Sequence, residues 1–201
     1  MCAMLSPKLK PAVTGFITPI ARGALAIGLT PNAVSFVGAL GVVASSFWFY
    51  PRGEFLLGTV IATIFILSDL FDGTMARLTD SEGTPWGAFI DSTLDRIADS
   101  SLLIGVALFL HDREDPLLVG VLIALMVSFL IPYIRAKAEA LSIECSVGVA
   151  ERTERLIIIL AGIGFEGLGV PFALSGAIAI LIVLGLITIF QRVHVVKQAM
   201  Q

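Results

Sequence analysis

The chain has 201 residues, of which 57% are hydrophobic and 14% are charged, and its net charge is −3. Soluble domains have about 25% charged residues. Together with a mean hydropathy of +0.96, this composition excludes an ordinary soluble enzyme and indicates an integral membrane protein.

The first thirty residues are predicted to lie outside the membrane core. Residues 11–29 are moderately apolar, and Arg22 and several small residues favour an amphipathic helix lying along the membrane surface. The first fifteen residues lack the continuous apolar run of a signal peptide. A proline at position 31 then predicts a helix start, because proline is favoured in the first helical turn.

Six apolar segments follow, most of them close to the roughly 20 residues that a spanning helix needs. Proline- and glycine-containing breaks separate them, and the fifth segment is the weakest. The predicted fold is therefore all-α, with six transmembrane helices plus an N-terminal interfacial helix. We expect a single domain over residues 1–201, with 1–30 as a juxtamembrane segment and 31–201 as a six-helix bundle. The predicted spans are 32–50, 55–78, 87–110, 116–140, 152–165 and 171–190.

The basic residues predict the orientation of this bundle. With six spans, eleven of the thirteen lysines and arginines fall on one side, and only Arg52 and Arg113 fall on the other. Because basic residues favour the cytoplasmic side, both termini are predicted to be cytoplasmic, in the plasma or inner membrane. Cys2 and Cys145 would lie on the same reducing side, where a structural disulfide is not expected.

Four aspartates lie in the cytoplasmic parts of the second and third predicted spans. Asp69 and Asp72 are three residues apart, and Asp91 and Asp95 are four apart, so each pair shares one helix face. An aspartate near the centre of a spanning helix costs roughly 2.5–3.5 kcal/mol, so we expect a cationic partner. Such oxygen-rich clusters suit Mg²⁺ or Mn²⁺, which stabilise the charge that develops in phosphoryl transfer. From the residues alone, an ion-pair network and the cation site of an ion-coupled transporter are the alternatives.

The spacing of these acids resembles the signature of the CDP-alcohol phosphotransferase family. That signature reads Asp-x-x-Asp-Gly-x-x-Ala-Arg, then eight or nine residues, then Gly-x-x-x-Asp-x-x-x-Asp. Every fixed position is present, namely Asp69, Asp72, Gly73, Ala76, Arg77, Gly87, Asp91 and Asp95. The resemblance implies an enzyme that transfers a phosphatidyl group from CDP-diacylglycerol to an alcohol and releases CMP.

The same resemblance implies roles for individual residues and a homodimeric assembly. Two divalent cations, Mg²⁺ or Mn²⁺, would be bound by Asp69, Asp72, Asp91 and Asp95. Asp95 would also act as the general base toward the acceptor hydroxyl. The CDP-diacylglycerol contacts would come from Asn32, Ser35, Gly73, Ala76, Arg77 and Thr84. Asp99, one turn beyond Asp95, is predicted to be structural.

Five basic residues at the cytoplasmic ends of the last three spans suit a phosphorylated acceptor. They are Arg135, Lys137, Arg152, Arg155 and Arg192. Their flanking segments, and residues 18–23, resemble those of actinobacterial phosphatidylinositol phosphate synthases, which implies inositol 1-phosphate as the acceptor. The alternative acceptor is glycerol 3-phosphate, since phosphatidylglycerophosphate synthases share the acidic signature. The other expected partner is the lipid bilayer, and no nucleic acid is expected.

Overall fold

The regular elements of the computed structural model are all helical within the residues that it describes. Those residues are 10–68, 71, 74, 75, 78 and 84–201, and the side chains of 10–17 are outside the description. The predicted all-α fold is confirmed for this part of the chain. The elements, in chain order, are α1 (Lys10–Ala26), α2 (Pro31–Phe49), a 3₁₀ helix (Tyr50–Arg52), α3 (Phe55–Ile66), α4 (Pro85–His111), α5 (Leu117–Glu139), α6 (Arg152–Gly167) and α7 (Ala173–Ala199).

Four of the predicted spans agree with the observed helices to within two residues at each end, namely α2, α4, α5 and α6. Helix α3 differs from the prediction, because it ends at Ile66 rather than near residue 78. Leu67 and Ser68 form a turn, in which the Ser68 hydroxyl donates to the Phe65 carbonyl oxygen at 2.6 Å. Serine side chains compete for backbone groups in this way, which favours helix ends.

Helix α7 also differs from the prediction, because it continues to Ala199, nine residues beyond the predicted end at position 190. The prediction followed the apolar run, which stops near Gln191. Charged and polar residues end an apolar run without ending a helix, since lysine, arginine and glutamine are good helix formers. The longer helix places Arg192 within α7 rather than after it.

Three helical segments in the described residues are long and apolar enough to cross a membrane: Pro31–Arg52, Leu117–Glu139 and Ala173–Ala199. Phe55–Ile66 is a shorter apolar helix. Large apolar side chains such as Val119, Met126 and Phe190 are exposed on these helices, as lipid-facing side chains would be. These features are compatible with an integral membrane protein.

The chain divides into two compact units, of which the first comprises Met1–Ser45 and Val60–Ser101. In this unit α2 and α3 approach closely at Gly41. A Cβ atom on Gly41 would lie 2.3 Å from the Phe65 ring, so only glycine leaves room for the aromatic side chain. Small residues at such crossings are typical of membrane helices.

The second unit comprises Ser46–Thr59 and Leu102–Gln201. In it α7 packs against both α5 and α6. A Cβ atom on Gly162 would lie 2.2 Å from the Cβ of Ala177, and one on Gly185 would lie 2.3 Å from Val127. These close crossings hold the three helices together.

Candidate functional site

Three aspartates lie on one face of α4, because Asp91, Asp95 and Asp99 are spaced four residues apart. Asp95 is buried, whereas Asp91 and Asp99 are half-buried. The Asp95 carboxylate forms an ion pair with Arg96, with 3.4 Å between Oδ2 and Nη2, and the two side chains are 11% and 25% exposed. This pair offsets part of the free-energy cost of burying a carboxylate.

Arg96 was not predicted from the sequence as a neighbour of Asp95, the predicted general base. Adjacent residues on a helix point about 100° apart, so they are not expected to face each other. The long arginine side chain nevertheless bends back toward Asp95. Its Nε atom is buried without a hydrogen-bond partner in the part of the chain that the structure describes. An arginine directly after a motif aspartate was the available signal in the sequence.

The other half of the acidic motif lies outside the described residues, as do the glycine, alanine and arginine beside it. The predicted positions concerned are Asp69, Asp72, Gly73, Ala76 and Arg77. Residues with described positions contain no group of three histidine, cysteine or acidic side chains that could hold a metal ion. The described half, Asp91 and Asp95, supplies the carboxylate oxygens that Mg²⁺ and Mn²⁺ prefer. The four-aspartate metal site therefore stays a prediction. The two of its aspartates that the structure describes are suitable ligands for such a cation.

Two predicted CDP contacts, Thr84 and Asn32, lie close together at the starts of α4 and α2. The Thr84 Oγ1 atom accepts a hydrogen bond from the Gly87 N–H at 3.1 Å and so caps α4. A Cβ atom on Gly87 would lie 2.9 Å from this oxygen and 3.9 Å from Asn32 Oδ1. Both exposed oxygens thus border the same small space beside Gly87. Ser35 differs, because its hydroxyl donates to the Pro31 carbonyl oxygen at 3.2 Å.

The five predicted acceptor residues differ in their exposure. Arg135 and Lys137 are exposed near the end of α5, and the Nε of Arg135 lies 2.9 Å from Glu139 Oε1. Arg152 is half-buried at the start of α6. Arg155 and Arg192, by contrast, are only 7% and 3% exposed. The basic cluster therefore combines solvent-accessible and buried charges.

The guanidinium of Arg192 holds the loop between α5 and α6, which comprises residues 140–151. Its Nε donates to the Val147 carbonyl oxygen at 2.8 Å, and its Nη1 donates to the Ile131 carbonyl oxygen on α5 at 2.6 Å. In the same loop the buried thiol of Cys145 lies 3.9 Å from the Arg192 carbonyl oxygen. Arg192 thus connects α7 with both the loop and α5.

Arg155, in α6, makes a similar bond to the same loop. Its Nη1 donates to the Ala150 carbonyl oxygen at 2.8 Å. Buried guanidinium groups need such acceptors, because an unpaired buried charge is strongly destabilising. Sequence patterns do not show which main-chain carbonyls will lie near a side chain, so these bonds were not foreseen. The phosphate-binding roles of Arg155 and Arg192 stay predictions.

Residues 28–190 match the model of the CDP-alcohol phosphatidyltransferase family. The chain belongs to this family. The match includes the described carboxylates of α4 and four of the five basic residues, and it ends just before Arg192. The predicted class of enzyme is therefore confirmed, and membership of this transferase family supports it over the transporter alternative.

Curated relatives in this family match most of the chain. The phosphatidylinositol phosphate synthase of Mycobacterium tuberculosis (strain ATCC 25618 / H37Rv) is 41% identical over 184 residues, which cover 89% of this chain and 84% of that protein. The phosphatidylinositol phosphate synthase of Streptomyces avermitilis is 38% identical over 205 residues, covering 98% of this chain and 84% of that protein.

Solved structures of a family member show the same fold. A crystal structure of Mycobacterium tuberculosis phosphatidylinositol phosphate synthase with CDP-DAG bound matches with a TM-score of 0.84 and 40% identity, covering 90% of this chain and 92% of that one. The same enzyme in complex with manganese and citrate also matches with a TM-score of 0.84, covering 90% of this chain and 88% of that one.

Proposed function

We propose that the protein is a phosphatidylinositol phosphate synthase, which transfers the phosphatidyl group of CDP-diacylglycerol to inositol 1-phosphate and releases CMP. The observation that carries this proposal is the similarity to synthases of that name along nearly the whole chain. The acidic signature alone would not separate this acceptor from glycerol 3-phosphate. The similarity of the flanking segments, which contain the basic residues, supports the inositol phosphate.

Asp95 is proposed as the general base of the reaction. Its carboxylate would take the proton of the acceptor hydroxyl, whose oxygen then forms a bond to the β-phosphorus of CDP-diacylglycerol. The bond from this phosphorus to the oxygen shared with CMP breaks, and CMP leaves with the electron pair. The buried position of Asp95 on α4, beside two further carboxylates, supports its participation at a polar site within an apolar chain.

Four aspartates, Asp69, Asp72, Asp91 and Asp95, are proposed to hold two divalent cations, Mg²⁺ or Mn²⁺. Carboxylate oxygens are the preferred ligands of both ions, and the related Mycobacterium tuberculosis enzyme has been crystallised with manganese. When bound, such cations would neutralise charge on the diphosphate as the phosphorus–oxygen bond breaks.

The two substrates are proposed to bind through separate groups of residues. CDP-diacylglycerol would contact Asn32, Ser35, Gly73, Ala76, Arg77 and Thr84, and the space bordered by Asn32 and Thr84 beside Gly87 supports this. The phosphate of inositol 1-phosphate would contact five basic residues, of which Lys137, Arg155 and Arg192 are the main ligands and Arg135 and Arg152 are additional ones. Arginine suits this role because its planar guanidinium makes paired contacts with phosphate oxygens.

The proposed membrane arrangement is a single six-span domain over residues 1–201, with α1 lying in the interface. Its termini and its site would face the cytoplasm, and it would form a homodimer in the plasma membrane. Three described helical segments of spanning length support the membrane location. The excess of basic residues on one side of the predicted topology supports the orientation.

The proposed function is tested by CMP release from the purified protein, supplied with CDP-diacylglycerol and Mg²⁺. Inositol 1-phosphate, free inositol and glycerol 3-phosphate are offered separately, and a chelator in place of Mg²⁺ is the control. We expect metal-dependent release with inositol 1-phosphate. Release with glycerol 3-phosphate alone would change the acceptor, and no release with any of the three would contradict the proposed activity.

A further inference from the structure

Thr188 on α7 is completely buried, and its hydroxyl both donates and accepts a hydrogen bond. It donates to the carbonyl oxygen of Leu184 in its own helix at 2.9 Å. It accepts from the N–H of Ala150, in the loop between α5 and α6, at 3.0 Å. The first bond uses the one hydroxyl proton, so the oxygen is available to the loop as an acceptor.

Ala150 is held from its other side by Arg155. The carbonyl oxygen of Ala150 accepts from Arg155 Nη1 at 2.8 Å, and Ala150 is fully buried. Both main-chain polar groups of Ala150 are thus used, one toward α7 and one toward α6. A continuous series of hydrogen bonds therefore links Leu184 and Thr188 of α7 to the guanidinium of Arg155.

A second observation shows that the loop lies directly against Thr188. Gly148 has φ +148°, and a Cβ atom there would lie 2.5 Å from the Thr188 methyl carbon. A side chain at this position would be both strained and in steric conflict. One turn further along α7, Arg192 donates to the Val147 carbonyl oxygen. Residues 147–150 are therefore attached to α7 at two successive turns.

We propose that Thr188 is a positioning residue, which orients Arg155 toward the phosphate of the acceptor through Ala150. The inference rests on the proposed function, in which Arg155 binds that phosphate. A guanidinium makes two parallel contacts with a phosphate only when its plane is set, and a fixed side chain loses less conformational entropy on binding. In the sequence Thr188 lies in an apolar run and has no feature of a functional residue.

The experiment compares Thr188→Val with Thr188→Ser in CMP release assays. Valine keeps the shape of threonine but removes the acceptor of the Ala150 N–H. We expect Thr188→Val to raise the KM for inositol 1-phosphate about tenfold, which corresponds to about 1.4 kcal/mol. The KM for CDP-diacylglycerol and kcat should change by no more than about twofold. Thr188→Ser, which keeps the hydroxyl, should restore the acceptor KM.

Thr59→Val is the matched control. Thr59 is also buried, and its hydroxyl lies 3.2 Å from the Tyr50 hydroxyl. It lies beside Gly164, which is nine residues, or about 13 Å along α6, from Arg155. Its replacement removes a comparable buried hydroxyl, and we expect both KM values to stay at the wild-type level.

The outcomes separate this inference from the proposed function. If the wild-type protein releases no CMP with inositol 1-phosphate, the proposed function fails, and the inference fails with it. If the wild-type protein is active but Thr188→Val has an unchanged acceptor KM, the inference alone is overturned. An equal rise of the acceptor KM in Thr59→Val would also overturn it, because the effect would then follow from the loss of any buried hydroxyl.

A second substitution keeps the test possible if Thr188→Val does not fold. Thr188→Ala lacks the hydroxyl and adds no bulk, so it carries the same kinetic test if Thr188→Val does not fold. If Thr188→Ser alone yields folded protein, Thr188 has a purely structural role and the positioning inference is overturned.

Discussion

The acidic helix α4 and the basic ends of α5, α6 and α7 hold their charged side chains in different ways. Arg155 and Arg192 are buried, and they donate to main-chain carbonyl oxygens of their own unit. Asp91 and Asp99 are half-buried, and Asp95 pairs with a neighbouring charge, Arg96. The hydrogen bonds that orient Arg155 and Arg192 thus run to neutral main-chain groups of the fold.

This difference matches what the two regions are proposed to bind. A carbonyl oxygen can orient a guanidinium group without removing its positive charge, which suits an arginine that binds phosphate. A cluster of carboxylates needs cations to lower its electrostatic repulsion. We therefore regard the basic region as preorganised by the fold and the acidic region as completed by metal ions.

The largest expected effect is that of Asp95→Asn, which keeps the shape of the side chain but removes its ability to accept a proton as a base. We expect CMP release to fall on the order of 10²–10⁴-fold, while CDP-diacylglycerol still binds. CMP release and lipid binding are measured on the same preparation. Asp99→Asn is the matched control and should keep most of the activity. Full activity of Asp95→Asn would refute the general-base role.

The replacement Arg192→Leu tests whether the basic region depends on the carbonyl bonds. It leaves the carbonyl oxygens of Ile131 and Val147 without their donor, and we expect a loss of roughly 2–4 kcal/mol in the free energy of unfolding. Unfolding in detergent, monitored by denaturant titration, measures this loss. An unchanged midpoint would show that the loop does not depend on Arg192.

The replacement Arg155→Ala tests the proposed phosphate contact. We expect it to raise the KM for inositol 1-phosphate by about tenfold or more, with a much smaller change in the KM for CDP-diacylglycerol. Steady-state CMP release with each substrate varied in turn gives both values. The KM of Arg155→Lys for inositol 1-phosphate should lie between the values of the wild type and Arg155→Ala, because lysine keeps the charge but not the paired geometry. An unchanged acceptor KM in Arg155→Ala would remove Arg155 from the pocket.

The smallest effect on stability is expected for Arg135→Ala. This arginine pairs with Glu139 across one turn of α5, and the two side chains are 50% and 56% exposed. Exposed pairs of this kind contribute little, so the free energy of unfolding should change by less than about 0.5 kcal/mol. The same denaturant titration applies, and a loss as large as that of Arg192→Leu would contradict the contrast between buried and exposed charges.

The sequence predicted the helices best where apolar runs ended at proline, glycine or charged turns. That is why α2, α4, α5 and α6 have nearly the expected bounds. It predicted the ends of α3 and α7 less well. The turn at Leu67 and Ser68 is stabilised by local hydrogen bonds that hydropathy does not show, and α7 continues through polar residues. Hydropathy measures where a chain can enter a membrane, and helices need not end there.

The motif residues of the site were predictable because their chemistry requires fixed spacing on a helix. Residues that act through the backbone were not. The Thr188 hydroxyl and the N–H of Ala150 become neighbours only after α7 packs beside the loop, 38 residues away in sequence. Arg96 was missed for the opposite reason, since its partner is its immediate neighbour and helix geometry argued against the contact.

The thiol of Cys145 can be used as a chemical probe for opening of the loop between α5 and α6. This residue is 2% exposed, and its thiol lies 3.9 Å from the Arg192 carbonyl oxygen. A thiol reagent can therefore react only when the loop opens. The chain has two cysteines, and a Cys2→Ser variant would leave Cys145 as the single reactive group. The rate of its modification, followed with and without inositol 1-phosphate, would then record how often the loop opens and whether this ligand changes that rate.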